Sequence, residues 1–214
     1  MIDLTLLNPQ TTPAQVEAIC REGRRYGFAT VCIPPAYVAL AAAVLDGGPV
    51  KAATVVGFPL GYEPSRIKAC AASEAVRHGA GELDMVLNLG LLKAGRLEAV
   101  EGDIARVVEA AGGVPVKVIL ECCYLTREEK VAACHAARSA GARFVKTSTG
   151  MGPQGATVDD VRLLRETVGS AMGVKAAGGI RDLRTALAMI QAGANRLGTS
   201  AGLAILEEMR ASSA

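Results

Sequence analysis

The chain has 214 residues, of which 50% are hydrophobic, a net charge of +2 and a mean hydropathy of +0.30. This is enough for one large domain with a substantial core of Ala, Val, Leu and Ile, because aromatic residues make up only 3%. The weak charge, without a Lys/Arg block, argues against nucleic acid as a partner, and no apolar run reaches membrane-spanning length. Without a signal-peptide pattern, the protein is expected in the cytoplasm.

Short runs rich in Val, Ile and Leu recur along the whole chain and alternate with segments of helical period. They predict eight strands, over residues 2–5, 30–33, 53–56, 83–87, 114–120, 143–146, 172–175 and 196–198. We count eight helices between and after them, with the clearest period over residues 13–26, 65–79, 127–140, 158–168 and 183–192. Thr126 and Asp182 look like helix N-caps, and Gly27, Gly79 and Gly193 look like helix C-terminal glycines.

Continuous apolar strands joined by helices indicate an α/β protein with a parallel sheet covered on both faces. Eight such units in one chain favour a closed (β/α)₈ barrel, a TIM barrel, as a single domain over residues 1–214. An open doubly wound sheet is the alternative. It is expected to carry a nucleotide-binding fingerprint after its first strand, where this chain has Leu6-Leu7-Asn8-Pro9.

The cysteines and histidines do not form a metal-ligand pattern. A chain with this much core does not need disulfides, so the six cysteines are predicted to be reduced thiols. The two histidines, His78 and His135, fall on helical stretches and are interpreted as surface or helix-packing residues. We therefore expect neither a catalytic metal nor a cofactor.

Polar residues cluster at the predicted C-terminal ends of the strands, which meet in one pocket in a barrel. The positions are Asp3, Thr5, Asp84, Asn88, Lys117, Glu121, Lys146 and Lys175. Alternation predicts that Glu82 shares a face with Asp84, and that Lys117 shares one with Glu121. For Asp3, Lys117 and Glu121, a buried ion-pair network and a catalytic role are equally good interpretations.

Lys146 and Lys175 point more directly to chemistry. Each ends a buried strand and leads into a loop of small residues, so both ammonium groups would be desolvated and would repel each other. Desolvation and a nearby cation lower the pKa of a lysine and raise the fraction of the neutral, nucleophilic amine. From the residues alone, either lysine could be the nucleophile.

Glycine-rich loops predict a phosphate site at the same end of the barrel. Gly178 and Gly179 follow the seventh strand, residues 198–202, with Gly198 and Ser200, follow the eighth, and residues 147–150, with Thr149 and Gly150, form a third small-residue loop. Glycines let backbone N–H groups approach an anion, and barrels frequently bind phosphate after strands seven and eight. A small phosphorylated substrate is therefore expected.

Motifs spread over the chain together resemble the family of 2-deoxyribose-5-phosphate aldolases, which are class I aldolases. The motifs are IDLTLL at 2–7, VVGFPLG at 55–61, ELDMV at 82–86, VKVILE at 116–121, FVKTSTG at 144–150, VKAAGGI at 174–180 and RLGTS at 196–200. The resemblance implies a carbon–carbon lyase that reversibly cleaves 2-deoxy-D-ribose 5-phosphate to D-glyceraldehyde 3-phosphate and acetaldehyde, in deoxyribonucleotide catabolism.

The resemblance also implies a role for each site residue. Lys146 is the Schiff-base lysine, Lys175 lowers its pKa, and Asp84 takes part in proton transfer without a metal or cofactor. Phosphate-side positions match Gly150, Gly178, Gly179, Gly198 and Ser200, with Thr149 in the same loop. Family members are commonly homo-oligomers, so a dimer or a tetramer is expected.

The chain departs from the family at several positions. Leu4 replaces a usual His, Ala201 replaces a frequent Ser, and Cys122-Cys123 replaces a Thr/Cys-Gly pair. The usual helix before the first strand is missing, so we expect a less covered barrel floor. The last tyrosine is Tyr124, whereas many members carry one in a C-terminal tail, so we expect weaker closure over the substrate. Two further hypotheses are a phosphosugar barrel enzyme that forms no imine, and a non-catalytic binder of a sugar phosphate.

Overall fold

A computed structural model describes residues 1–212 of the chain. Eight parallel strands form a closed barrel, in which each strand pairs with its neighbours in chain order. The strands are β1 (Ile2–Thr5), β2 (Thr30–Cys32), β3 (Lys51–Val56), β4 (Glu82–Val86), β5 (Val116–Ile119), β6 (Phe144–Lys146), β7 (Gly173–Ala177) and β8 (Arg196–Thr199). Pairing of β8 with β1 closes the sheet, which confirms the predicted (β/α)₈ barrel and excludes the open doubly wound sheet. Residues 213 and 214, which the single-domain prediction and the prediction about the C-terminal tail include, lie outside the described residues.

The helices pack around the outside of the barrel. Within residues 1–212 they are α1 (Pro13–Tyr26), α2 (Val38–Leu45), α3 (Ser65–Arg77), α4 (Leu89–Lys93), α5 (Leu97–Ala110), α6 (Arg127–Ser139), α7 (Val158–Val168), α8 (Leu183–Gln191) and α9 (Gly202–Ala211), with 3₁₀ turns at Pro35–Tyr37 and Cys122–Tyr124. The count of eight helices was wrong by one, because the β4–β5 connection holds both α4 and α5. None of the described helices is long and apolar enough to span a bilayer.

The helix ends follow the capping chemistry predicted from the sequence. The hydroxyl of Thr126 accepts from the backbone N–H of Glu129, whose carboxylate accepts from the Thr126 N–H in return, a capping box at the start of α6. Asp182 caps α8 by accepting from the Thr185 N–H at 2.7 Å. Gly27 ends α1 in the left-handed conformation with φ of 65°.

Most of the apolar core lies between the strands and the helices. The interior of the barrel is different. A small apolar group formed by Cys32, Ala53 and Val55, with Leu7 and Phe58, is separate from that core. Buried charged side chains fill much of the remaining interior, which is the unusual feature of this barrel. The strands therefore place charge where such a fold normally places branched aliphatic residues.

Candidate active site

Lys146 and Lys175 lie side by side, as predicted, and a carboxylate lies between them. The two residues are paired in register on β6 and β7. Both ammonium groups reach Oδ2 of Asp84, from Lys146 at 2.8 Å and from Lys175 at 2.7 Å. Because Asp84 is fully buried, the three side chains form one tightly coupled cluster.

Asp84 also belongs to a closed ring of six charged side chains inside the barrel. From Asp84 the ring runs through Lys117, Glu82, Arg196, Asp3 and Lys175 and back to Asp84, and positive and negative groups alternate along it. We call these six residues the charge ring. Lys146 is attached to the ring through Asp84 and is not a member of it.

The charge ring holds three carboxylates and three cations, so it is neutral without Lys146. A charge in a low-dielectric interior is strongly disfavoured unless it is compensated. The ammonium of Lys146 is the seventh charge and has no counter-charge of its own, since the three carboxylates of the ring are already balanced by its three cations. The neutral amine of Lys146 is therefore favoured over the neutral form of either ring lysine.

The pKa directions agree with this count. Burial lowers the pKa of Lys146 and outweighs the attraction of Asp84, and the Lys175 ammonium lowers it further. Burial also acts against the charged form of Lys175, but Asp3 and Asp84 together raise its pKa. From the residues alone, both lysines were candidates for a lowered pKa; the pKa is lowered for Lys146 and raised for Lys175. Two carboxylates contact Lys175, while one contacts Lys146.

Two acidic members of the ring, Asp84 and Asp3, are held ionised. Burial raises the pKa of Asp84, but Lys117, Lys146 and Lys175 more than offset this effect and hold it well below the usual range. Burial likewise opposes the charge of Asp3, whose pKa is nevertheless lowered to about 2 by Lys175 and Lys117. Both carboxylates are thus hydrogen-bond acceptors at neutral pH.

A cavity of about 380 Å³ opens above this cluster at the C-terminal end of the barrel. Of the ring and Lys146 together, Lys146 alone lines the cavity. Lys175 and Asp84 lie below it and are completely shielded from solvent. Lys146, the lysine without a counter-charge of its own, is thus also the one of the two that a substrate in the cavity can reach.

The predicted phosphate loops come together around the same cavity. Its lining includes Thr5, Thr149, Gly150, Gly178, Gly179, Gly198 and Ser200, all predicted site residues. Asn8 and Arg181 also line it, and sequence reasoning missed both. Arg181 directly follows the Gly-Gly-Ile motif, so a cation beside a predicted phosphate loop was the available signal for it.

Three of the glycines are required by backbone geometry. Gly178 and Gly179 have φ of 88° and 78°, in the left-handed region that disfavours other residues. A Cβ on Gly155 would lie 2.2 Å from the carbonyl oxygen of Gly178, so the loop after β6 packs directly on the loop after β7.

Gly198 lies within β8, which was predicted to end at this residue and continues through Thr199. A Cβ there would lie 2.9 Å from Cε of Lys175. The absence of a side chain on Gly198 therefore makes room for the stem of Lys175, in addition to exposing backbone at the cavity.

Glu121 does not share a face with Lys117, contrary to the prediction. β5 ends at Ile119, and Glu121 has a left-handed backbone with φ of 52°, so strand alternation does not extend to it. Its carboxylate accepts from the backbone N–H of Thr149 at 3.2 Å and from the Thr149 hydroxyl. Glu121 thus fixes the loop that carries Thr149 and Gly150. Asp3 and Lys117, by contrast, are members of the ion-pair network.

Other predicted residues have structural contacts. Thr5 donates its hydroxyl to the carbonyl of Asp3 at 3.0 Å, and Asn88 caps α4 by accepting from the Leu91 N–H. Leu4, where the family usually has His, is buried outside the barrel interior, 2.9 Å from the Cβ position of Gly202 on α9. Within residues 1–212, no three His, Cys, Asp or Glu side chains are arranged to hold a metal ion.

Arg196 was missed as a member of the cluster. The signal was available, because Arg196 lies two residues before Gly198 on β8 and alternation places both on one face. Its guanidinium contacts Asp3 at 2.6 Å and Glu82 at 3.1 Å and lies 5.4 Å from the ring centre of Phe144.

The fold and the cavity define the class of protein: a (β/α)₈ barrel enzyme with its site at the C-terminal ends of the strands. The model of the DeoC/LacD family aldolases matches residues 1–208. The chain belongs to this family and is an aldolase, a carbon–carbon lyase, which confirms the resemblance drawn from the motifs.

Relatives cover nearly the whole chain. A deoxyribose-phosphate aldolase of Caldanaerobacter subterraneus subsp. tengcongensis is 54% identical over 98% of this chain and 92% of its own length. One of Streptococcus pneumoniae is 55% identical over 96% of this chain and 94% of its own. The solved structure of the deoxyribose phosphate aldolase of Aeropyrum pernix, described as a unique tetramer, superposes with a TM-score of 0.92 at 36% identity, over 98% of this chain and 89% of its own.

Proposed function

We propose that the protein is a class I aldolase that reversibly cleaves 2-deoxy-D-ribose 5-phosphate to D-glyceraldehyde 3-phosphate and acetaldehyde through an imine on Lys146. The observation that carries this proposal is the position of Lys146. Its amine lines the cavity, while the neutral charge ring below leaves it as the lysine that most readily loses its proton. The names of the close relatives support the choice of substrate.

The first steps use the amine and Asp84. The neutral Lys146 amine attacks C1 of the open-chain sugar, and loss of water gives a protonated imine. Asp84, acting through a water molecule, is proposed to take the proton of the C3 hydroxyl. The C2–C3 bond then breaks, and its electron pair moves to the imine to give an enamine. Glyceraldehyde 3-phosphate leaves. Protonation of the enamine at C2 and hydrolysis release acetaldehyde and restore the amine.

Asp84 and Lys175 are proposed to manage the protons of these steps. Asp84 is 2.8 Å from the Lys146 amine and 2.7 Å from Lys175, close enough to pass a proton through a shared water molecule. Lys175 stays charged, and it therefore favours the neutral form of Lys146 before attack.

The loops around the cavity are proposed to hold the phosphate. Gly150, Gly178, Gly179, Arg181 and Ser200 all line the cavity. Their backbone N–H groups, the Arg181 guanidinium and the Ser200 hydroxyl are the donors proposed to bind the phosphate. Thr149 and Glu121 order the loop that carries Gly150. A phosphate bound there anchors the sugar so that C1 reaches Lys146.

Reductive trapping tests the proposal. The protein is incubated with acetaldehyde or deoxyribose 5-phosphate, reduced with borohydride and digested, and the adduct is located by mass spectrometry. We expect the adduct on Lys146. Lys68 is an internal control, because it is equally buried but donates to Asp103 and Val86 away from the cavity. Cleavage that survives in Lys146→Ala would instead support a phosphosugar enzyme without an imine, and binding without cleavage would support a non-catalytic role.

We also propose a homo-oligomer, either a dimer or a tetramer, in the cytoplasm, acting in deoxyribonucleotide catabolism and binding no nucleic acid. The tetrameric relative from Aeropyrum pernix supports the assembly. Large apolar side chains are exposed, for example Leu60 and Tyr62 in the loop between β3 and α3, with exposed fractions of 53% and 68%. Light scattering coupled to size-exclusion chromatography would contradict this assembly if the mass were that of one chain.

A further inference from the structure

Two members of the charge ring, Glu82 and Arg196, lie far from the cavity. Each is at the start of its strand, Glu82 on β4 and Arg196 on β8, toward the opposite end of the barrel from the loops that line the cavity. Their side chains are only 12% and 16% exposed. Buried charge at this distance from the substrate needs an explanation, because an apolar pair could fill the space.

Their contacts show what they hold. Arg196 donates to Oδ1 of Asp3 at 2.6 Å, while Oδ2 of the same carboxylate faces Lys175 at 2.6 Å. Glu82 faces Lys117 at 2.7 Å, and Lys117 donates to Oδ1 of Asp84 at 2.7 Å. Each of the two outer groups thus fixes one residue that contacts Lys175 or Asp84.

Glu82 and Arg196, which we call the outer pair, are also needed to keep the charge ring neutral. Without Arg196 the ring has three carboxylates and two cations, and without Glu82 it has two carboxylates and three cations. In either case the sum around Lys146 changes by one charge, although neither residue contacts Lys146. The effect of this charge is transmitted through a dry interior, where charges interact over longer distances than in water.

We propose that Glu82 and Arg196 are positioning residues that keep the charge ring neutral and thereby set the protonation state of Lys146. This inference rests on the proposed imine function of Lys146 for its consequence in catalysis. If it is correct, two residues at the end of the barrel opposite the cavity control the protonation of the Lys146 amine at the cavity.

The groups that face Lys146 are consistent with control by the ring. Lys146 faces three titratable groups, which are Asp84 on β4, Lys175 on β7 and Cys32 on β2. Burial raises the pKa of the Cys32 thiol to about 11, so this thiol is neutral over the working range and adds no charge. Asp3, Lys117, Glu82 and Arg196 follow in the ring, so Asp84 and Lys175, the two charged groups that act on Lys146, are both linked to Glu82 and Arg196.

Charge-changing variants of the outer pair test the proposal through the sign of a shift. The pKa of Lys146 is measured from its rate of acylation by acetic anhydride against pH, with quantification by mass spectrometry, a readout that requires no imine. We expect Arg196→Gln to raise the apparent pKa of Lys146, and Glu82→Gln to lower it, each by about 1 pH unit. The acid limb of kcat/KM for deoxyribose 5-phosphate should move with it in both variants.

Three controls separate this role from simple stabilisation. Arg196→Lys keeps the charge and should show the wild-type acid limb of kcat/KM. The double variant Glu82→Gln/Arg196→Gln should also show the wild-type acid limb, because the ring is neutral again. Arg106→Met removes one positive charge from the exposed face of α5 and should leave the limb unchanged. KM should change little in all of them, because neither ring residue lines the cavity.

Shifts in the same direction for both single variants, or no shift in either, would overturn the proposal. If Arg196→Gln does not fold, Glu82→Gln decides alone, since a downward shift supports the proposal and any other result contradicts it. Opposite acylation shifts without a borohydride adduct on Lys146 would support control by the ring and contradict the imine function. A borohydride adduct on Lys146 without shifts in its acylation pKa would support the imine function and contradict control by the ring.

Discussion

Lys146 and Lys175 share a single acceptor, because both ammonium groups are within 2.8 Å of Oδ2 of Asp84. The two lysines are neighbours in register, yet their environments push their pKa values in opposite directions. The difference comes from Asp3, which contacts Lys175 at 2.6 Å. Two identical side chains on adjacent strands thus acquire a charged and a reactive form.

Replacing Lys175 by Leu should raise the pKa of Lys146. The ring loses a cation, so the excess negative charge of Asp3 and Asp84 favours the protonated amine. We expect the acid limb of kcat/KM to move up by about 1 pH unit or more, with at least tenfold lower activity at pH 7 that recovers toward pH 9. A pH–rate profile checks this. Full activity at neutral pH would contradict the electrostatic role of Lys175.

Replacing Asp84 by Asn should remove both the proton carrier and the common acceptor of three ammonium groups. We expect kcat to fall by about 10²–10⁴-fold and stability to fall by about 3–5 kcal/mol, because three buried cations lose a counter-charge. Exchange of the methyl protons of acetaldehyde in D₂O, followed by NMR, reports the proton step separately.

Asp103→Asn is the matched control for Asp84→Asn. Asp103 is also buried and accepts from a lysine, Lys68, at 2.7 Å, but it lies on α5 outside the barrel. We expect the control to lose stability and to keep its kcat per folded molecule. Equal losses of kcat in both variants would argue that Asp84 acts only in folding.

Replacing Gly179 by Ala should weaken phosphate binding. Its φ of 78° is strained for Ala, and no atom lies within 4 Å of the added Cβ, so the methyl group meets no protein atom. We expect KM for deoxyribose 5-phosphate to rise about fivefold, which corresponds to a loss of roughly 1 kcal/mol of binding free energy. Activity on unphosphorylated deoxyribose should stay unchanged.

Gly27→Ala is the control for this backbone strain. Gly27 has φ of 65° and is equally free of contacts, but it caps α1 away from the cavity. It should lose similar stability without a change in KM. A change in KM in the control would assign the effect to folding.

Replacing Thr149 by Val should loosen the loop between β6 and α7. The variant loses the bond to Glu121 and the 2.9 Å bond from the Met151 N–H. We expect KM to rise about tenfold, which corresponds to a loss of roughly 1.5 kcal/mol of binding free energy, with a smaller effect on kcat. Thr167→Val loses a comparable hydroxyl bond on α7, to Leu163, and should leave KM unchanged.

Stability should fall in acid through Asp3. Its pKa is lowered to about 2 in the folded protein, so its contribution to the free energy of unfolding is complete above the unfolded value of about 3.9 and is lost as pH falls toward 2. Asp3→Asn should therefore be less stable than the wild type at pH 7, and the two should converge near pH 2. Urea unfolding across this range checks it; parallel curves would contradict it.

The sequence predicted the barrel well, because eight apolar runs with intervening helices leave few alternatives. It also predicted Lys146, Lys175 and the glycine loops, since each lies at a strand end, where a barrel gathers its polar groups. Without the family resemblance it could not rank the lysines, because the ranking depends on Asp3, which lies on β1 and approaches Lys175 only after the barrel closes.

Two other misses have local causes. Glu121 was assigned to a strand face, but a left-handed residue two positions after Ile119 turns its side chain toward Thr149. The eighth strand was predicted to end at Gly198, although β8 continues through Thr199. Both errors arise where a strand ends, a position that short-range alternation cannot fix.

The charge ring draws its members from β1, β4, β5, β7 and β8, and the contact between Arg196 and Asp3 joins residues 193 positions apart. A growing chain in which β8 has not yet paired with β1 therefore has only ordinary, protonated lysines. Under the proposed imine mechanism, the amine of Lys146 is therefore expected to become reactive only once β8 has paired with β1.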